Sequence, residues 1–421
     1  MNPMAFKINV LGPDDAKRKA QAGFRQWVKR STEKPKSAGA KGAFRKAMER
    51  SAPDGQPKSR EITAKSGAEI RIERLKAELK KEEKRKIELD AKLLEAAGRG
   101  HAKAVRKLVA DGADVAVRDR EERLTPLLRA AMNGHTEVVE ILIDMGADIN
   151  AKVDYGPASG STALKMAAMN GWTETVRMLA GRGMDVNARD DDGSTALIQS
   201  AGRGHTKTAA LLIGLGADID AKGQFGKTAL MKAVNDGWTE AAELLIDRGA
   251  DVNAGDDSKW TALIMAAYYG RDDTVGMLIG RGAEVDARNI SGDTALMKAA
   301  ENGHAETARL LIDNGADVNR RDVSDFTPLI RAATSGSTEI VEMLIGKGAE
   351  VDARLNEGPY AGSTALIRAV VCDHAETAER LVGLGADVNA KDGKDKTALA
   401  YATDKGDKET VKMLRRHKAK K

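Results

Sequence analysis

Apolar residues recur along most of the chain in a unit of 33 residues that is clearest at residues 293–325. Each unit contains two short amphipathic segments separated by a polar break, here residues 302–304 with the sequence Asn-Gly-His. The segments carry the apolar side chains Leu296, Ala299 and Ala300, and then Ala308, Leu310, Leu311 and Ile312. Gly315 follows the second segment and suits a left-handed helix C-cap. The pattern predicts a helix, a turn, a second helix and a cap.

A threonine opens each unit, and its spacing defines the repeat. The opening residues are Thr125, Thr162, Thr195, Thr228, Thr261, Thr294, Thr327, Thr364 and Thr397. The steps between them are 33 residues, except for the steps that lead to Thr162 and Thr364, which are 37 residues. A tenth unit lacks its threonine but keeps the repeat sequence at residues 96–101 and 111–115. A threonine hydroxyl at this place caps a helix, and so many copies predict a stacked array.

Two motifs mark the beginning and the end of the units. Residues 294–296 read Thr-Ala-Leu, and residues 315–319 read Gly-Ala-Asp-Val-Asn. Over about residues 87–417 the pattern resembles the ankyrin repeat family, whose motif begins Thr-Pro-Leu-His and ends Gly-Ala-Asp-Val-Asn. The resemblance implies an all-α ankyrin-repeat solenoid of about ten helix-turn-helix units with short β-hairpin-like finger loops. The family's histidine is replaced here by Leu128, Lys165, Ile198, Met231, Ile264, Met297, Ile330, Ile367 and Ala400.

A basic N-terminal arm precedes the array. Residues 1–30 predict a short strand followed by a basic amphipathic helix with an aromatic face. The residues that would anchor this helix are Phe24, Trp27, Lys17, Arg18 and Arg25. The helix could pack on the protein itself, dock onto a partner protein, or bind nucleic acid or an anionic membrane surface.

The remaining segments differ in composition. Residues 31–68 are rich in Lys, Ser, Gly, Ala and Pro and predict a flexible linker. Residues 69–90 predict a charged lead-in helix that shields the first unit, with a weak coiled coil as the alternative. The array is expected at residues 91–417, followed by a basic tail at residues 418–421.

Charge divides the chain into two regions. Residues 1–90 hold 24 Lys and Arg against 13 Asp and Glu, a net charge of +11, whereas residues 91–421 hold 44 against 50, a net charge of −6. The basic arm is therefore expected to anchor the protein, and nucleic acid or an anionic surface is a candidate contact of residues 1–60. The array is expected to recognise a partner.

Candidate catalytic and metal-binding residues are few. Five of the six histidines occupy one repeated position, which predicts a structural role, and the single cysteine, Cys372, has no thiol partner. No phosphate-binding loop stands apart from the repeat glycines. The sequence predicts a protein that is not an enzyme and has no cofactor or metal. It contains no apolar run of about 18 residues and no signal core, so a cytoplasmic location is expected.

Aromatic side chains concentrate where the ankyrin resemblance places ligands, on a concave face formed by finger tips and first helices. Phe225, Trp260 and Phe326 take finger-tip positions, and Tyr268 and Tyr269 precede a repeat break. They predict a partner-binding hot spot, or alternatively rings that cover neighbouring fingers. Trp172 and Trp238 replace the repeated histidine and predict packing between units.

The two four-residue insertions lie near either end of the array, at residues 155–160 and 357–362. Each contains one tyrosine, Tyr155 or Tyr360, and could form a rim beside the aromatic residues or be tolerated variation in length.

Together these features predict a non-enzymatic protein–protein interaction scaffold that holds a partner protein on the concave face of the array. The alternative is a structural component of a larger assembly, one that could contain nucleic acid, anchored through the basic arm.

Overall fold

The computed structural model describes residues 67–154, 156 and 158–419, and the chain divides into two units, Met1–Glu73 and Arg74–Lys421. The predicted N-terminal strand, the basic helix with Phe24 and Trp27, and nearly all of the linker lie outside the described residues. Tyr155 lies outside them as well.

Helices follow one another in pairs along the described chain. They are α1 (Gly67–Gly98), α2 (Ala102–Ala110), α3 (Pro126–Met132), α4 (Thr136–Asp144), α5 (Ala163–Met169), α6 (Thr173–Gly181), α7 (Ala196–Ala201), α8 (Thr206–Gly214), α9 (Ala229–Asp236), α10 (Thr239–Asp247), α11 (Ala262–Tyr268), α12 (Asp272–Gly280), α13 (Ala295–Asn302), α14 (Ala305–Asp313), α15 (Pro328–Ser335), α16 (Thr338–Gly346), α17 (Ala365–Val371), α18 (Ala375–Gly383), α19 (Ala398–Lys405) and α20 (Lys408–Arg416). The predicted all-α repeat array is confirmed, with α1 and α2 forming the unit that lacks a threonine.

Threonine caps set the start of every first helix from α3 to α19. The Thr294 hydroxyl accepts the backbone N–H of Met297, and the eight other opening threonines make the same bond to the third residue of their helix. Pro126 and Pro328 occupy the first helical position in their units, where a missing N–H costs nothing.

Small side chains allow the helix pairs to stack closely. First helices contact the first helices of the neighbouring units, and second helices contact second helices. Ala299, Ala300 and Leu311 are fully buried between them. Because a single unit cannot bury its apolar face alone, these interfaces between units stabilise the array.

The connection from each second helix to the next threonine forms a finger. The described fingers contain no extended strand, only the isolated bridges between Lys152 and Thr162 and between Lys391 and Thr397. A hairpin-like backbone bond closes most of them, such as Asp256 N–H to Trp260 O at 3.0 Å. The finger is therefore a tight turn, and its shape repeats from unit to unit.

A second set of hydrogen bonds joins the units through the residue directly before each second helix, here called the bridging position. In seven of the ten described units its side chain donates to a carbonyl at the end of the preceding unit's first helix, over 2.8–3.2 Å. The donors are His135, Trp172, His205, Trp238, Arg271, His304 and His374. Trp172 and Trp238 thus pack between units, as predicted, and four of the five repeated histidines join units in the same way.

Helix α1 is longer than the predicted lead-in segment. It continues without a break past residue 90 to Gly98, so the charged segment and the first helix of the first unit are one element. Leu93 and Ala97 at its end are fully buried, whereas Leu75, Leu79 and Ile87 are about half-exposed. No helix of the described residues is long and apolar enough to cross a membrane.

Candidate functional site

Three aromatic rings meet in the unit that begins at Thr261. The Trp260 and Tyr268 ring centroids are 5.7 Å apart with an interplanar angle of 76°, and those of Tyr268 and Tyr269 are 5.0 Å apart at 90°. Both pairs are edge to face, the geometry that the charge distribution of aromatic rings favours. Tyr268 and Tyr269 remain 39% and 46% exposed, so the cluster presents ring surface to solvent. Trp260, Tyr268 and Tyr269 are called the aromatic cluster below.

The local backbone explains how the rings come together. Trp260 directly precedes the capping Thr261, and Tyr268 and Tyr269 lie at the end of helix α11. The Asp256 carboxylate accepts the backbone N–H of Ser258 at 2.8 Å and that of Trp260 at 2.9 Å. These bonds hold the finger against the helix, and so the indole is fixed before any partner arrives.

Cations lie against two of the rings. The Lys298 Nζ is 5.7 Å from the Trp260 ring centroid, and the Arg271 guanidinium carbon is 5.4 Å from the Tyr269 ring centroid. The Tyr269 hydroxyl also donates to Asn235 Oδ1 at 3.3 Å. The distances from Lys298 and Arg271 to the two rings are within the range of cation–π attraction. They limit the rotation of the rings and reduce the entropy cost of binding.

Lys298 joins the aromatic cluster to an ion-pair network. Its Nζ lies 2.9 Å from Asp293 Oδ2 and 2.9 Å from Glu301 Oε2. Burial lowers the pKa of Lys298, but hydrogen bonds to Asp293 and Glu301 outweigh it and leave the pKa above its ordinary value. Arg331 of the next unit contacts both carboxylates, at 3.5 Å from Asp293 and 3.3 Å from Glu301.

The same network reaches Phe326. Arg331 lies 2.6 Å from Asp322 Oδ2, and its guanidinium carbon is 4.3 Å from the Phe326 ring centroid. Phe326 and Trp260 are both half-buried at the base of their fingers, directly before the capping threonine. The sequence reasoning placed them at finger tips. The structure instead holds them at the base because the Asp five residues before each threonine accepts their backbone N–H groups.

The other predicted contact residues lie apart from the cluster. Phe225 is at a finger tip, 68% exposed, with a left-handed backbone at φ 57°. Tyr360 is 45% exposed in the second insertion, with the Arg368 guanidinium carbon 4.1 Å from its ring centroid. The structure therefore brings together Trp260, Tyr268 and Tyr269, connects Phe326 to them through ion pairs, and leaves Phe225 and Tyr360 separate.

Sequence reasoning missed a series of basic side chains on the first helices. Each lies four residues after a capping threonine: Arg129, Lys232, Lys298, Arg331 and Arg368. Four of them, all except Lys232, lie against a ring or a carboxylate of a finger. The recurrence of Lys or Arg at this spacing was the signal available in the sequence.

A buried ion pair occupies the position of the family's motif histidine in one unit. The Lys165 ammonium group contacts the Asp190 carboxylate of the next finger, and the two side chains are only 4% and 5% exposed. Burial lowers the pKa of Lys165 to about 8, although the nearby carboxylates of Asp192 and Asp191 favour the charged form. The pair replaces the hydrogen bonding of the motif histidine with a contact between two units.

The described residues offer no arrangement of three or more His, Cys, Asp or Glu side chains that could hold a metal ion. Four of the histidines donate to backbone carbonyls at the bridging position. The Nε2 atom of each is therefore engaged in holding two units together.

A family model described as ankyrin repeats (3 copies) matches the chain at residues 72–153, 152–223, 215–289, 281–355 and 351–421. No curated protein matches the sequence. The five matches together cover the whole array, in agreement with the capped helix pairs and their stacking. The chain therefore belongs to the ankyrin repeat family.

Proposed function

We propose that this protein is a non-enzymatic scaffold that binds a partner protein on the concave face formed by its first helices and fingers, with the aromatic cluster at the centre. Ankyrin repeats are generally protein–protein interaction modules, and proteins built from them are typically non-catalytic scaffolds. The proposal adds a specific face and specific residues to that general role.

The observation that carries the proposal is the exposed set of three rings in edge-to-face contact. Only 14 residues of the chain are aromatic, and three of them are joined here through Tyr268, which contacts both Trp260 and Tyr269. Trp and Tyr are the residues that most often dominate binding energy at interfaces. Rings already fixed by Lys298, Arg271 and Asn235 lose little freedom on binding.

The alternative role for these rings is to cover a neighbouring finger. That role would bury them, but Tyr268 and Tyr269 keep 39% and 46% of their surface accessible. Exposed ring surface gains free energy only when something else covers it. Phe326, beside Arg331, extends the surface on one side, and Phe225 and Tyr360 are proposed as contacts at its margins. Tyr155, which lies outside the described residues, is proposed as a further contact.

A comparison of three full-length proteins tests the proposal. Wild type, Tyr269→Ser and the matched control Leu215→Ser, which alters an exposed leucine on a second-helix end, are used to capture proteins from native lysate at moderate salt. A partner held by the cluster should be retained by wild type and control and reduced about tenfold with Tyr269→Ser. Equal retention by all three proteins, with unchanged circular dichroism, would rule out the cluster as the contact.

A second candidate function rests on the charge of +11 over residues 1–90. In that case the protein is a structural component of a larger assembly, and the basic arm is its anchor. Binding to the assembly should then weaken as salt rises, as expected for screened charges. Changing Lys17, Arg18 and Arg25 to Gln in the full chain should release the protein from the assembly. If the Tyr269→Ser change releases it instead, the scaffold function is favoured.

A further inference from the structure

Helix α1 has an apolar face that is largely open to solvent. Leu75 and Leu79 are 47% and 57% exposed, and Leu89 is only partly buried. Glu82 and Lys86 stand between Leu79 and Leu89 and are exposed. These five positions follow one another at alternating steps of four and three residues, which places them on one side of the helix, as in the seam of a coiled coil. They are called the α1 seam below.

The seam continues onto the end face of the first unit. A groove of about 480 Å³ lies there between α1 and α2, and Leu89, Ala96, Ala104 and Leu108 contribute its apolar lining. In the next unit, Leu142 takes the place of Leu108 and is fully buried. Leu108 is only partly buried, because no described helix pair precedes the first unit. The groove is therefore one half of an interface of the kind that joins the units.

The two polar positions of the seam carry opposite charges. A charge in such a seam needs a partner, because it loses its hydration there. In two antiparallel helices, residues at equal distances from the crossing point face each other. If two copies of α1 cross at Lys84, Glu82 of each copy faces Lys86 of the other, and Leu79 of each faces Leu89 of the other. A parallel pair would instead set Glu82 against Glu82 and Lys86 against Lys86, so the charges favour the antiparallel arrangement.

Charges beside the seam favour the same arrangement. With the crossing at this point, two further kinds of opposite-charge contact form between the copies, and by symmetry each occurs twice: Glu78 with Lys92 and Lys76 with Asp90. Like charges meet only at the crossing point, where Glu83 and Arg85 each approach the same residue of the other copy. A parallel pair would bring Glu78 near Glu83 of the other copy. Flanking charges of this kind determine the orientation of paired helices.

A second copy suits this face better than the basic arm of the same chain. Residues 1–66 hold 16 Lys and Arg against 6 Asp and Glu, a net charge of +10. Lys86 lies in the seam, and Lys92 and Lys107 border the groove, so a basic segment would meet like charges there. A copy of α1 brings carboxylates and ammonium groups to matching positions instead.

We propose that two copies of this chain form a homodimer through antiparallel α1 helices. Glu82 of each copy lies against Lys86 of the other, and Leu75 and Leu79 of each enter the end-face groove of the other. This surface belongs to the first unit and does not include the aromatic cluster, so the inference is independent of the partner-binding proposal. A dimer carries two aromatic clusters and would hold a multivalent partner more tightly than a single chain does.

Sedimentation equilibrium of the full-length protein tests the dimer. We expect the mass of two chains at high concentration and reversible dissociation on dilution. Glu82→Lys and Lys86→Glu each set like charges against one another and should weaken dimerisation about tenfold or more. The two changes together restore opposite charges in the antiparallel arrangement and should return the dissociation constant to within about threefold of the wild-type value. In a parallel dimer, neither single change would relieve or add a like-charge contact in the seam.

A matched pair of apolar changes locates the interface on one face of α1. Leu79→Ser should weaken dimerisation about tenfold or more. Ile87→Ser alters a residue of similar exposure, 55% against 57%, that lies toward the first finger, and it should leave the dissociation constant unchanged. Circular dichroism checks that each variant is folded.

Three results would overturn the proposal. The first is the mass of a single chain at every concentration, which is the result expected if residues 1–66 cover the face. The second is a dimer that neither single charge reversal weakens. The third is a double reversal that dimerises no better than the single changes.

Discussion

The indole Nε1 of Trp238 donates a hydrogen bond of 3.0 Å to the carbonyl oxygen of Gly202, which ends the first helix of the preceding unit. The last carbonyls of a helix have no partner within the helix, so a donor from outside satisfies them. Histidine, tryptophan and arginine all appear at the bridging position, and they share an N–H group at the end of a planar side chain. The donor, more than the type of ring, is therefore what the position requires.

Replacing the donor should separate the contribution of the Trp238 hydrogen bond to stability from that of its ring packing. Trp238→Phe keeps an aromatic ring but removes the N–H, and we expect it to lower the free energy of unfolding by about 1–3 kcal/mol because a carbonyl loses its partner. Trp238→His keeps an N–H donor of the kind found at His205 and should cost less. Urea denaturation of both proteins measures the difference. Equal losses would mean that packing alone matters at this position.

The glycine before the bridging residue is required for two reasons: its backbone is left-handed, and a side chain there would collide with the next unit. Gly204 has φ +72°, and an added Cβ would lie 2.4 Å from the ring of Trp238. Gly216 has φ +88° with no atom within 4 Å of an added Cβ, so it isolates the backbone cost alone. We expect Gly216→Ala to cost about 1–2 kcal/mol and Gly204→Ala clearly more, as measured by thermal and urea denaturation. A smaller loss for Gly204→Ala than for Gly216→Ala would contradict the packing seen here.

The buried pair of Lys165 and Asp190 should show strong energetic coupling. Lys165→Met leaves a buried carboxylate without its cation, and we expect a loss of about 3–5 kcal/mol. Asp190→Asn removes the charge and retains an acceptor for the N–H groups of Asp192 and Ser194. The double variant should recover part of the loss because no unpaired charge remains. A double-mutant cycle in urea measures the coupling, and additive losses would show that the pair does not interact.

The last unit should show a pH dependence that originates at Tyr401. Its hydroxyl donates to Asp392 Oδ2 over 2.5 Å, and this bond, together with burial, raises the pKa of Tyr401 to about 12. Because an unperturbed tyrosine has a pKa of about 10, the bond stabilises the fold fully below pH 10. Its contribution is lost as the pH rises through 12.

We therefore expect Tyr401→Phe to lower the free energy of unfolding by about 1 kcal/mol at pH 8. The difference from wild type should shrink between about pH 10 and pH 12, where the tyrosinate can no longer donate. Urea denaturation at pH 8, 10 and 11.5 provides the comparison. A difference that stays constant across this range would show that the hydroxyl does not titrate with the raised pKa.

Local physical chemistry within the 33-residue unit determined the repeat, the fold class and the ends of most helices. The Thr294 cap, the Gly315 C-cap and the apolar faces around Leu296 and Leu311 act within a few residues of one another. Signals of this kind are readable from sequence because each depends only on its neighbours in the chain.

Tertiary structure alone decided which side chains of different units meet. Lys298 lies 38 positions after Trp260, and only the stacking angle and the rotamers bring its ammonium group to the indole. Likewise, the exposure of Ile290 beside the buried Asn289 depends on a left-handed turn and on the neighbouring finger. Stacking distances between units are set by all the side chains at an interface, so no single stretch of sequence specifies them. The repeat was therefore determined by sequence, and the candidate surfaces by the packing of one unit on the next.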